Sequence, residues 1–167
     1  MLTYQLQEAI AKMKNHALPD HVRRRSLLEA AGHPCQEVGQ AIVGVALFDP
    51  SLDIKQTAVK ILADVDAAWA TEEFCKRLTH RNYFAVLNAI HAIRQQAAFI
   101  AGNSRLKRQV TDALRPLLGS SDFKIAKAAA VTYTRVMDGG FARPQQSRWG
   151  GAPASPFGAG FIGGRGF

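Results

Sequence analysis

Acidic residues are missing from the last 29 positions of this 167-residue chain, and glycine is scarce everywhere else. The chain holds two cysteines, Cys35 and Cys75. That is too few for a disulfide framework, and free thiols suit a reducing, cytoplasmic setting. No long apolar run is present either. The longest, Ala41 to Phe48, is far short of the roughly 20 residues that a spanning helix needs. The opening Met1-Leu-Thr-Tyr-Gln-Leu-Gln-Glu lacks the basic start and apolar stretch of a secretory leader. Neither a leader nor membrane insertion is therefore expected. Sustained period-two alternation is absent and β-branched residues are scattered, which excludes a sheet protein.

Recognisable catalytic spacing is also lacking. Gly158-Ala-Gly160-Phe-Ile-Gly163 spells a dinucleotide-binding fingerprint. That chemistry requires a strand before the glycines and a helix after them to hold the pyrophosphate, and four residues leave no room for the helix. His33-Pro34-Cys35 and the Cys75/His80 pair offer soft ligands, but not at finger or ribbon spacing. Glu72 and Glu73 are adjacent on one helix, so they diverge by about 100°. His16 and His21 flank a loop, and His91 sits beside an apolar face. No enzyme activity, cofactor, metal or small-molecule substrate is expected.

What is present is helix after helix. At 47% hydrophobic and 20% charged, the chain has the composition of a packed body, and its length suffices to bury about two-thirds of the unfolded surface. Residues 1–138 hold five of the fourteen glycines, and residues 139–167 hold the other nine with three of the seven prolines. A helical domain over 1–138 followed by an extended or flexible tail over 139–167 is therefore expected.

Apolar spacing and turn signals place helices at about 3–16, 20–31, 35–48, 51–65, 67–78, 82–100, 104–118 and 122–138. Asp20 is expected to cap the second, with Val22, Leu27, Leu28 and Ala31 facing inward. Three apolar trios share one spacing: Ile54-Ala58-Leu62, Ala85-Ala89-Ile93 and Ile125-Ala129-Tyr133. Each follows a turn, and the central alanine admits a neighbouring helix closely. The alanines lie 31 and then 40 residues apart, suited to stacked helix pairs.

Here the chain resembles HEAT or armadillo-like repeats, most of all at Asp49-Pro-Ser-Leu-Asp-Ile-Lys-Gln-Thr-Ala-Val-Lys-Ile-Leu. The resemblance covers roughly residues 35–138. Lys55 stands where the family usually has arginine, and the unequal period is a further departure. It implies a scaffold that binds proteins or, less often, nucleic acid along one face. The expected architecture is all-α, about eight helices in a short solenoid-like or irregular bundle.

Twenty-one Lys and Arg against thirteen Asp and Glu give a net charge of +8. The body carries +5 of it, and the tail +3 with no acid at all. Arg23-Arg24-Arg25 fan around the start of the second helix, and Arg105, Lys107, Arg108 and Arg115 load the seventh. These seven are the candidate patch for an anionic partner, nucleic acid or an acidic protein. Lys76, Arg77 and Arg81, and the pair Lys124 and Lys127, are further basic clusters.

The tail sets Phe141, Trp149, Phe157, Phe161 and Phe167 among glycines, with Arg148 and Arg165 beside them. Exposed rings are unfavourable in water, while flexible backbone with large apolar side chains suits docking into a neighbour's pockets. The sequence therefore points to a helical adaptor within a larger protein assembly, anchored by Phe141, Arg148, Trp149, Phe157, Phe161, Arg165 and Phe167. A basic nucleic-acid-binding module is the alternative.

Overall fold

Five helix starts among the described residues are set by a polar side chain that accepts a hydrogen bond from the first turn. Thr3, Ser51, Asn82, Asn103 and Asp122 stand in extended backbone and accept from the N–H groups two or three residues on. Each satisfies donors that the first turn leaves without partners. The computed structural model describes residues 3–139, and the aromatic tail beyond Gly139 lies outside them.

Among the described residues there are eight α-helices and no strand. They are α1 (Tyr4–Lys14), α2 (Asp20–Ala31), α3 (Gln36–Phe48), α4 (Leu52–Arg77), α5 (Tyr83–Gln95), α6 (Ala97–Ala101), α7 (Ser104–Leu114) and α8 (Phe123–Met137). A 3-10 segment, Arg115–Gly119, follows α7. Pro116 stands near its start and has no N–H to continue the α-helical ladder.

Two boundaries differ from expectation. Leu52–Arg77 forms one continuous element where a gap is expected, but it breaks at Asp66, whose backbone (φ −158°, ψ 88°) is not helical. Asp66 Oδ1 accepts from Trp69 N–H at 2.9 Å and so starts the second half as a cap would. The expected helix over 82–100 is divided instead. Gln96 leaves helical geometry (φ −95°, ψ 9°), and its side-chain amide meets the Thr71 hydroxyl of α4 at 3.1 Å.

Contacts advance along the chain. α1 meets α2 and α3; α2 meets α3 and α4; α3 meets α4 and α5; α5 meets α6 and α8. Neither α1 nor α2 touches any described helix beyond α4. The three trio alanines, Ala58, Ala89 and Ala129, are fully buried, as helices stacked at close range require. Asn88 of α5 donates to the Leu47 carbonyl at 2.6 Å, satisfying a C-terminal carbonyl of α3.

α2 is rotated relative to expectation. Its inward face is Arg23, Ser26, Leu27 and Ala30, while Leu28 is 58% exposed. The cause is Arg23. Its guanidinium is 2% exposed and pairs with the equally buried Asp49 at the α3–α4 turn. It also donates to the Met13 carbonyl from Nε and Nη2, each at 3.3 Å, and to Asp20 Oδ1 at 3.4 Å. Asp20 is not the cap; Pro19 holds that position. Its second oxygen accepts from Ser51 Oγ at 2.6 Å, and Asp49 Oδ1 accepts from Ser51 N–H at 2.9 Å. One buried cation thus ties the end of α1, the start of α2 and the turn into α4.

A buried charge that loses its partner is costly, about 3–5 kcal/mol, whereas replacing both partners by apolar groups is far milder. Arg23→Met and Asp49→Leu are each expected to lower stability by about that amount in urea denaturation. The double variant is expected to lose much less than the sum. Additive losses would show that the two groups are not coupled.

Candidate functional site

Among the surfaces that the described residues build from more than one helix, two carry a distinct chemistry. The first is an apolar groove of about 490 Å³ between α3 and the two halves of α4. Val38 and Ile42 of α3 form one wall, Ile61, Leu62 and Val65 the other, and Trp69 stands at the end beyond the break at Asp66. The break matters here, because it lets both halves of one helix face α3. Gly39 is the residue against which Trp69 lies. A Cβ there would sit 2.6 Å from Trp69 Cη2, closer than atoms tolerate.

A polar clamp holds the second half of α4 in place. Buried Glu73 accepts from Gln40 Nε2 at 2.9 Å and pairs with Lys76, while Arg77 donates to Gln40 Oε1 at 3.3 Å. Burial opposes ionisation of Glu73, but the bonds from Lys76 and Gln40 and the nearby charges outweigh it. They hold its carboxyl below the usual 4.5. The groove's surroundings are acidic. Asp66 lines it, and Glu37 and Asp64 flank lining residues. All three are exposed and none joins an ion pair among the described residues.

The basic residues expected to form one anionic-partner patch are placed otherwise. Arg23 is buried on Asp49, and Arg24 pairs with Asp53 across the surface. Arg105 pairs with Glu72 of α4 at 3.1 Å, and Arg115 with Asp112 at 3.4 Å. Lys107 donates to the Met137 carbonyl at 3.1 Å, towards the end of α8. Arg25 and Arg108 are exposed and form no ion pair among the described residues. α2 and α7 do not touch, so the two clusters are not brought together by helix packing. The seven tail residues lie outside the described part of the chain.

A second surface escapes sequence reasoning. Lys60 of α4, Arg94 of α5 and Arg135 of α8 line one cleft of about 620 Å³, with Gln56, Gln95 and Gln96 around them. No carboxylate lines it, and none of the three cations is ion-paired among the described residues. His91, half-buried on α5, is held below 6.5 by burial first and then by Arg94 and Lys55. The three residues are far apart in sequence and sit in no cluster. Their signal was positional: each stands within two residues of a member of an alanine-centred trio, at the edge of a packed stripe.

Cys75 is buried and its thiol is pushed up to about 12, by burial and then by Glu72, while Cys35 is exposed. Among the described residues no group of three or more His, Cys, Asp or Glu is placed to hold a metal ion. No described helix is long and apolar enough to cross a membrane. No family model, no curated protein and no solved structure matches the chain.

Gly39→Ala is expected to cost about 1–3 kcal/mol, because the added methyl forces Trp69 out of its seat in a packed site. Thermal denaturation checks it. A variant as stable as the parent would mean that Trp69 is not held against α3.

Proposed function

We propose that this chain is a non-enzymatic helical adaptor, a subunit of a larger multi-protein assembly. The observation that carries the reading is the apolar groove between α3 and the broken α4, which is open to solvent and bordered by acids without cation partners. An apolar side chain flanked by Lys or Arg on a partner segment suits that surface. It places rings against Pro34, Val65 and Trp69, lining residues that keep exposed surface, while bases meet Glu37, Asp64 and Asp66.

The forward progression of helix contacts and the buried alanines Ala58, Ala89 and Ala129 support a HEAT- or armadillo-like stack. In this reading the stack presents the groove, and the tail supplies a second attachment. Phe141, Trp149, Phe157, Phe161 and Phe167 act as apolar anchors, with Arg148 and Arg165 making charge-assisted bonds to the neighbour. The two thiols suit work in a reducing cytosol. A nucleic-acid module resting on Arg23–Arg25 and the 105–115 cluster is weakened, since Arg23, Arg24, Arg105 and Arg115 are already ion-paired within the fold.

Deleting residues 139–167 is expected to leave circular dichroism of a helical protein while co-purification with its assembly is lost. Retention of the same subunits by the truncated chain would contradict the role given to the tail.

A further inference from the structure

The cleft between α4, α5 and α8 has an electrostatic imbalance that the fold does not correct. Lys60, Arg94 and Arg135 converge on it from three helices, and no Asp or Glu lines it. Several cations elsewhere are neutralised on the fold. Arg23 has Asp49, Arg24 has Asp53, Arg105 has Glu72 and Arg115 has Asp112. Arg94 and Arg135 are both partly buried, and neither has a carboxylate partner among the described residues.

Helix ends account for part of this. Arg94 and Arg135 lie in the last turns of α5 and α8, where the helix dipole favours a cation. Each helix end offers about half a negative charge, so two ends offset only about one of the three positive charges. Roughly two remain uncompensated. Lys55 adds to the same field, since with Arg94 it disfavours a proton on His91. The acids nearest in sequence, Asp64 beside the lining Ala63 and Asp138 just after α8, join no ion pair among the described residues, and residues 139–167 contain no Asp or Glu.

The chemistry of the lining defines what fits. Two guanidinium forks donate bidentately to a tetrahedral oxyanion, an ammonium adds a mobile point charge, and three glutamine amides supply neutral donors and acceptors. Carboxamides beside cations accommodate the parts of a ligand that are polar but uncharged. A volume of about 620 Å³ exceeds what one orthophosphate fills and lies within the range of small-ligand sites. We infer that the cleft lined by Lys60, Arg94 and Arg135 is a binding site for the phosphate group of a phosphate ester. This site is independent of the adaptor reading and uses none of the residues on which that reading rests.

A small phosphate ester and a polynucleotide backbone present the same group, and calorimetric titration separates them. The full chain is titrated with glycerol 3-phosphate, a small phosphate ester, and, in parallel, with a single-stranded oligodeoxynucleotide, each at matched ionic strength. Binding of glycerol 3-phosphate that weakens about tenfold in Arg94→Gln and is lost in Arg94→Gln/Arg135→Gln supports a small-ester site. Binding of the oligonucleotide alone, lost in the same variants and steeply weakened by salt, supports a backbone phosphate in the same cleft. Lys60→Gln alters an exposed side chain, so it keeps the fold and is expected to weaken binding several-fold. Arg108→Gln, on a different surface, is expected to leave it unchanged. Binding of neither probe, or equal binding by parent, Lys60→Gln and the double variant, overturns the proposal.

Discussion

A guanidinium shut away from water must be neutralised where it lies, and Arg23 imposes that requirement on the first third of the fold. Its counter-ion, Asp49, comes from a turn 26 residues away in sequence. The remaining donors go to the Met13 carbonyl and to Asp20, so three segments are fixed by one side chain. Much of a buried pair's attraction is offset by the loss of hydration, so its contribution is specificity of arrangement more than net stability. The arrangement it specifies is the rotation of α2 and the seating of α1 and α2 on α3 and α4. Since α1 and α2 touch no described helix beyond α4, these contacts are what join the first two helices to the rest.

The same logic of paired and unpaired charge divides the described surface into regions of different sign. Of the cations that crowd in sequence, Arg24, Arg105 and Arg115 are neutralised by carboxylates on the fold, while Arg25 and Arg108 join no ion pair among the described residues. Cations scattered in sequence, Lys60, Arg94 and Arg135, gather without one. Around the apolar groove the sign reverses, with Glu37, Asp64 and Asp66 left without bases. A protein of modest net charge thus offers one acid-bordered apolar surface and one basic cleft. Each is suited to a partner that brings the opposite charge. The break at Asp66 is the backbone feature that makes the groove, because it turns one helix into two walls around α3.

Much of this was legible in the residue order. Helical periodicity, capping residues and turn signals locate nearly every helix, and the three trio alanines are buried as their spacing implies. What could not be read is where tertiary partners overrule local pattern. Three successive arginines suggest a patch for an anionic partner, yet Arg23 is drawn inward by Asp49, and Leu28 is turned out in consequence. The division at Gln96 goes with its contact to Thr71, a partner 25 residues away. The basic cleft was hidden for the same reason. Convergence of Lys60, Arg94 and Arg135 is a property of helix packing, and no local run of charge announces it.

The central claim is that the Arg23–Asp49 pair fastens α1 and α2 onto a stack whose contacts run forward along the chain. Native-state hydrogen exchange on Arg23→Met tests it most directly, because it reports the opening of each helix separately. The account predicts that amides of α1 and α2 exchange much faster than in the parent, while those of α5 and α8 change far less. Uniform acceleration across all helices, or unchanged protection in α1 and α2, would contradict it.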